Sequence, residues 1–278
     1  MRNRQWSVER VRQTAAERCP PGWLPIAASV AIVVVVWQLA ASVVPAYVFP
    51  NLFELGAAFE QAFGPNAQFD VFDHYPITIA RVLVAAVLCL VVGVVLGIVM
   101  GTSKTSQEYL MVYVLATFAF PSVIWAFFAI LWVGLSVWFV TVFPVFMVVM
   151  PYVAINVYEG MTDLDGRLPE MADSFGASRF LLWQNVYLPH LLPHLFANAR
   201  LALMLSWKIT LVGEIFGTTS GVGLIINNYF QANQNEMIIA WVMPMMVLVF
   251  LADRLLSRLE HRLFAWRATP DETAAATA

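Results

Sequence analysis

Lys208 and Glu214 are ionisable residues standing inside an otherwise apolar run of this 278-residue chain. A charge held at the centre of a bilayer costs a few kcal/mol even on insertion scales, so such a side chain normally faces a bundle interior or a water-filled cavity. Six residues apart on a helix, the two point about 120° apart and lie about 9 Å apart along the axis, which makes a poor intrahelical pair. Lys208 therefore has two readings, contact with an anionic solute or its gate, and a structural ion pair with another helix. Glu214 lies near the end of its run and is expected to be solvated, while Arg200 stands toward the other end. Trp207, next to Lys208, shares a claim on any cavity. Trp125 and Trp241 are further aromatic candidates, whereas Trp132 and Trp138 read as an interfacial belt.

The chemistry of hydrolysis and group transfer is missing. The only lysines are Lys104 and Lys208, and neither follows a glycine, so the phosphate-binding pattern G-x-x-x-x-G-K-[ST] is absent. The stretch from Gly217 to Gly223 is glycine-rich but has no lysine, and it reads as a structural loop. His190 and His194 have the spacing of a helical metal pair. Pro193 lies between them and no third ligand is near, so no metal is expected. Asp70, Asp73 and His74 read as a solvated loop. With no nucleophile beside a base, the expectation is a chain that is not an enzyme and binds no cofactor.

The elements that must position these residues are membrane spans. Apolar residues make up 60% of the chain and charged residues 12%, with a mean hydropathy of +0.74, against about 25% charged in ordinary soluble domains. A net charge of −3 gives no reason to expect a nucleic-acid partner. Six runs approach the roughly 20 residues that cross about 30 Å of hydrocarbon, over residues 23–45, 77–101, 109–134, 138–158, 191–216 and 237–257. Only Leu135, Ser136 and Val137 separate the third and fourth, so these form a tight hairpin; a five-span reading merges or drops one run. The expected fold is all-α and polytopic, with six transmembrane helices. A basic segment 1–22 precedes the spanning domain 23–265, and a small polar tail 266–278, expected to be disordered, follows it.

Cations set the orientation. Arg2, Arg4, Arg10, Arg12 and Arg18 precede the first run, Lys104 follows the second, Arg167 and Arg179 lie between the fourth and fifth, and Arg254, Arg258, Arg262 and Arg267 end the chain. All fall on one side of six crossings, and segments 46–76, 135–137 and 217–236 contain no Lys or Arg. The positive-inside rule then makes both termini and loop 159–190 cytoplasmic. The run from Trp23 to Val44 is too long for a signal peptide and reads as a retained helix.

Finer patterns follow. Leu52, Leu55, Phe59 and Phe63 recur at helical spacing and predict a short helix along the interface. Ala85, Cys89, Gly93, Gly97 and Gly101 place a small residue at every fourth position of the second run, which fits close packing inside the chain or a homodimer seam. Pro121, Pro144, Pro151 and Pro244 interrupt the third, fourth and sixth runs, and such defects mark either a lined path or a packed interior. Cys19 and Cys89 are too far apart in character to form a disulfide framework and are expected to be free thiols.

In loop 159–190 the chain reads Glu170-Met-Ala-Asp-Ser-Phe-Gly176, then nine residues, then Val186-Tyr-Leu-Pro189. Pro169 suits the first turn of a helix and Glu170 its positive end. Met171 and Phe175, four residues apart, share a face as apolar anchors. Gly176 permits a turn, and Ser178 is placed to cap a second helix that runs until Leu188-Pro189 stops it. A helix carrying two apolar knobs needs a partner surface.

This cassette resembles the EAA loop of the permease subunits of bacterial ABC importers, whose pattern is E-A-A, three residues, Gly, nine residues and I-x-L-P. Glu170, Ala172, Gly176, Leu188 and Pro189 match letter for letter, while Met171 and Val186 depart mildly. Over roughly residues 75–265, including Pro121 to Gly134, Ala197 to Gly217, the Ser220, Gly221, Gly223 and Ile226 pattern and Asp253, the chain is similar to the nitrate/sulfonate/taurine-type branch. The resemblance implies that Glu170, Met171, Ala172, Phe175, Gly176, Leu188 and Pro189 form a coupling helix for a separate ATPase, which uses the ATP. It further implies a second permease copy, an extracytoplasmic solute-binding protein, an inner-membrane location and import of a small organic or inorganic anion along a path for which Lys208, Trp207, Glu214, Pro121 and Trp125 are candidates. The alternative is a stand-alone secondary transporter or channel using Lys208 and Glu214, against which stands the lack of an evident inverted second half.

Overall fold

The computed structural model describes residues 23–45, 48–65, 67–135 and 138–263, and every regular element among them is helical. The N-terminal cations Arg2 to Arg18, Cys19, Arg267, the polar tail and the Ser136-Val137 tip of the expected hairpin lie outside the described residues.

The chain opens with α1 (Trp23–Val43) and α2 (Leu52–Phe63). Asn51 starts α2 with a reciprocal cap: its side chain accepts from the Phe53 and Glu54 amides, and Glu54 accepts from the Asn51 amide at 2.8 Å. The expected short helix is therefore present, and it is anchored to the bundle, because Leu55, Ala58 and Ala62 are buried. α3 (Val71–Thr102) begins at Asp70, which accepts from the Phe72 amide at 2.8 Å, so Asp70, Asp73 and His74 belong to a helix start rather than a solvated loop.

The third apolar run is two helices, α4 (Lys104–Thr117) and α5 (Ser122–Val133), bent by 90° at the break between them. Pro121 sits at that break with an extended ψ of 148° and starts α5, having no amide to continue α4. α6 (Phe139–Thr162) keeps Pro144 and Pro151 within one helix. Two short helices follow, α7 (Arg167–Ser174) and α8 (Arg179–Leu182), and then a π-helical turn, Trp183–Tyr187, leads into α9 (Leu188–Gly217). Pro189 does not stop this helix. The wider turn feeds directly into α9 with Pro189 in its first turn, where the missing amide is harmless, and residues Arg179–Gly217 run on as one 39-residue apolar helix. α10 (Val222–Gln231) and α11 (Asn235–Leu263) complete the described chain.

Among the described residues four helices, α3, α6, α8–α9 and α11, are long and apolar enough to cross a membrane, and the bent α4–α5 pair makes a fifth if it is one span. α1 is apolar over its 21 residues.

The small-residue stripe of α3 is taken up inside the chain. A Cβ added at Gly93 would lie 2.7 Å from Val153 Cβ, and one at Gly97 would lie 2.6 Å from the Ala154 carbonyl oxygen, both on α6. Gly101 meets Met161 in the same way, and Ala85 and Cys89 are wholly buried in the α3–α6–α9 core. The two helices meet backbone to backbone, which settles the stripe as internal packing. Cys89 is a buried free thiol. At one end, α2, α3, α9, α10 and α11 enclose a second core around Tyr75, Trp207, Ile225 and Trp241.

Candidate functional site

Loop 163–187 lies between α6 and α9. Asp165 accepts from the Arg167 amide and guanidinium, and the guanidinium holds its carboxyl below the usual carboxylate range. α7 follows with Glu170 exposed in its first turn. It ends where the Ala177 amide donates to the Ala172 carbonyl at 3.0 Å and Gly176 takes φ 72°, a closure that places glycine just past the last helical residue. A Cβ at Gly176 would meet nothing within 4 Å, so the requirement for glycine here is conformational, not spatial. One residue later Ser178 accepts from the Leu181 amide at 3.3 Å and starts α8.

This geometry turns apolar side chains outward. Met171 is 55% exposed and Phe175 85%. Leu168, three residues before Met171 and also exposed, shares their face and adds a third anchor that spacing alone left out. Ala172 is half-buried; Leu188 is exposed and Pro189 half-buried at the far end of the cassette.

The candidates for a path are not brought together. Lys208 is exposed on α9, in line with the exposed Ala197 and Met204, and makes no ion pair among the described residues. Trp207, one residue away and so about 100° round the helix, points into the core beside Tyr75 and Trp241, and Trp241 is itself fully buried. Trp125 is buried by α6, within 6 Å of the Phe120, Phe128 and Phe143 rings, whereas Pro121 is exposed at the α4–α5 break. Trp132 and Trp138 are exposed beside the hairpin.

Glu214 is fully buried, contrary to the expectation of a solvated carboxylate. Arg81 of α3, a cation that the sequence reading passed over, donates to Glu214 at 2.5 Å, to the Ser220 carbonyl at 2.8 Å and to Ser220 Oγ at 2.8 Å. Glu214 also accepts from the Gly223 amide and the Thr78 hydroxyl, each at 2.9 Å. The Val222 amide donates to Thr78 and the Gly221 amide to His74 Nδ1. The Ser220, Gly221 and Gly223 pattern now has a physical account: Ser220 satisfies Arg81, Gly221 takes φ 108° against the Glu214 carboxylate, and Gly223 leaves room for Glu214 Cβ. Loop 218–221 and the start of α10 are thereby fastened to α3 and α9. Farther along, Arg200 of α9 pairs with Asp253 of α11 at 2.8 Å and lies 3.5 Å from Glu260.

The described helices thus form a bundle of membrane-length spans with an exposed amphipathic loop helix at one end and a buried ionic knot at the other. Residues 93–265 match the family described as the binding-protein-dependent transport system inner membrane component, and the chain belongs to that family: it is an inner-membrane permease of an ABC importer. The permease SsuC of Bacillus subtilis (strain 168), named for aliphatic sulfonates transport, is 27% identical over 255 residues, which cover 88% of each chain. The taurine transport system permease protein TauC of Escherichia coli (strain K12) is 22% identical over 73% of this chain and 74% of its own length. Among solved structures, the methionine ABC transporter MetNI in an inward-facing conformation aligns with a TM-score of 0.56 at 21% identity, covering 66% of this chain and 91% of that one, a likeness of fold.

Proposed function

We propose that the chain forms the solute path of an ATP-driven importer, and that segment 167–189 docks into a separate ATPase that binds and hydrolyses the ATP. The observation that carries this reading is α7 itself, which presents Leu168, Met171 and Phe175 outward beside an exposed Glu170. Apolar side chains that project from a short loop helix gain free energy only by burial against a partner or a membrane surface. The match of Glu170, Ala172, Gly176, Leu188 and Pro189 to the EAA pattern selects the partner.

The remaining partners follow from the family and from Lys208. An ammonium exposed within a spanning helix does not face lipid, so the Ala197–Met204–Lys208 face of α9 borders a water-filled path closed by a second permease copy. A lone cation on such a path favours a small organic or inorganic anion, in keeping with relatives named for aliphatic sulfonates, taurine and, in Leptolyngbya laminosa, nitrate import. Both termini and the α7 loop are cytoplasmic in this reading, six helices cross the membrane, and an extracytoplasmic binding protein delivers the solute. In the same reading the ATP site belongs to the separate ATPase and not to this chain.

The test is co-purification. Phe175→Ser and Glu170→Lys, both at exposed positions, should leave membrane insertion intact, reduce recovery of the ATPase with the permease and abolish uptake. Full ATPase recovery with wild-type uptake in both variants would remove α7 as the docking element.

A further inference from the structure

A cavity of about 660 Å³ lies between α2, the first turns of α3 and the middle of α11. Its wall is apolar or aromatic throughout, with Phe63, Phe72, Pro76, Ile79, Pro244 and Val247 setting its shape. The polar atom nearest to contributing, the Tyr75 hydroxyl, is already taken up, donating to the Trp241 carbonyl at 2.7 Å. No residue of α9 lines the cavity, so it is separate from the Lys208 face. The occupant gains nothing from hydrogen bonds there and must be a hydrocarbon.

Two of the three helices around the cavity, α3 and α11, are spans, and the third, α2, is amphipathic. The cavity is therefore open where spanning helices meet the membrane surface, and each long helix carries a proline at its wall. Around this end the charge is one-sided. Glu60, Asp70 and Asp73 are exposed carboxylates, and residues 46–76 contain no Lys or Arg. His74 accepts from the Gly221 amide. A headgroup with net negative charge is repelled here, whereas an ammonium beside its phosphate is attracted.

We infer that this cavity is a phospholipid site: it takes an acyl chain of a zwitterionic lipid whose ammonium lies among Glu60, Asp70 and Asp73. The inference needs only the membrane setting that the family gives, and it is independent of the proposed solute and ATPase docking.

The experiment uses the full chain in its expressed complex, reconstituted in vesicles of phosphatidylethanolamine and phosphatidylglycerol that carry a trace of one or other lipid with a diazirine on the acyl chain. After illumination, attachment is mapped by peptide mass spectrometry. The ethanolamine probe should concentrate several-fold at the start of α3 and the middle of α11, relative to Val91 and Val95 on the exposed face of α3. Ile79→Trp or Val247→Trp should fill the cavity and cut that attachment several-fold without changing it at Val91 and Val95. Glu60→Gln with Asp73→Asn, both exposed and so compatible with folding, should remove the preference for ethanolamine over glycerol. Attachment no higher than at Val91 and Val95 would reduce the site to ordinary boundary lipid. Absence of attachment would show that protein covers the cavity, and equal labelling by the two probes would overturn the headgroup assignment. Recovery of the ATPase, measured on the same samples, reports separately on the docking proposal.

Discussion

Arg81 on α3 and Glu214 on α9, separated by 133 positions in the chain, close an ion pair from which solvent is fully excluded. Ser220, Thr78 and the Gly223 amide supply further partners to the two charges, while Arg81 Nε is buried without one. Removing one member strands the other in a water-poor interior, a loss of about 3–5 kcal/mol. Arg81→Met and Glu214→Met should each lower the unfolding temperature of the purified permease and its membrane yield. The double variant should be less damaged than the sum of the two, because no uncompensated charge remains. Recovery will be partial, as Ser220 and the Gly223 amide lose their partners. Strictly additive losses in thermal unfolding would show that the pair is not coupled.

The glycines around that carboxylate give a second, steric test. An added Cβ at Gly223 would sit 2.8 Å from the Leu211 carbonyl oxygen, and Gly221 has both the crowding and a left-handed φ. Gly223→Ala and Gly221→Ala should therefore reduce folded yield, with Gly221→Ala the worse. Gly56→Ala on α2, where a Cβ meets nothing within 4 Å, should be neutral or slightly stabilising, since alanine favours a helix by about 1 kcal/mol over glycine. Detergent-solubilised yield and thermal unfolding measure all three.

Much of this fold is legible in the sequence because every apolar run but the third, which breaks at Pro121 into α4 and α5, corresponds to one helix, and the small-residue stripe of α3 names the face that meets α6. The knot was not legible. Arg81 interrupts an apolar run without a carboxylate one turn away, and the nearest expectation for Glu214 was a poor pairing with Lys208 on its own helix. The available signal was depth: Arg81 and Glu214 carry opposite charge and lie toward the same side of the membrane on the second and fifth of the six expected crossings, which run in opposite directions. The facing of α9 was equally hidden. A helix apolar nearly all round gives no moment by which to tell that Trp207 turns inward and Lys208 outward. Pro189 misled for a different reason, since the π-helical turn before it makes room for proline in the first turn of a continuing helix.

Gly176 separates conformation from space in the loop. Its φ of 72° is costly for a side chain with Cβ, by roughly 1–2 kcal/mol, and asparagine tolerates it better than most. Because nothing crowds the position, uptake and ATPase recovery should fall in the order glycine, asparagine, alanine, valine. Equal loss for Gly176→Asn and Gly176→Val would mean that a partner atom fills the space beside the glycine.

Lys208 offers the most direct test of the path. It is exposed on α9 and makes no ion pair among the described residues, so within one copy its removal strands no carboxylate. An ammonium beside water-poor walls attracts an anion more strongly than the same charge in bulk water, because it is screened less. Lys208→Met keeps the length and removes the charge. The variant should assemble with the ATPase, keep its basal hydrolysis and unfold at the wild-type temperature, while uptake of a sulfonate or similar anion falls at least tenfold. Lys208→Arg, which keeps the charge on a broader head, should retain more uptake than Lys208→Met. A loss of stability in Lys208→Met would instead place a carboxylate of the second copy against this residue, and undiminished uptake by a stable variant would remove Lys208 from the path.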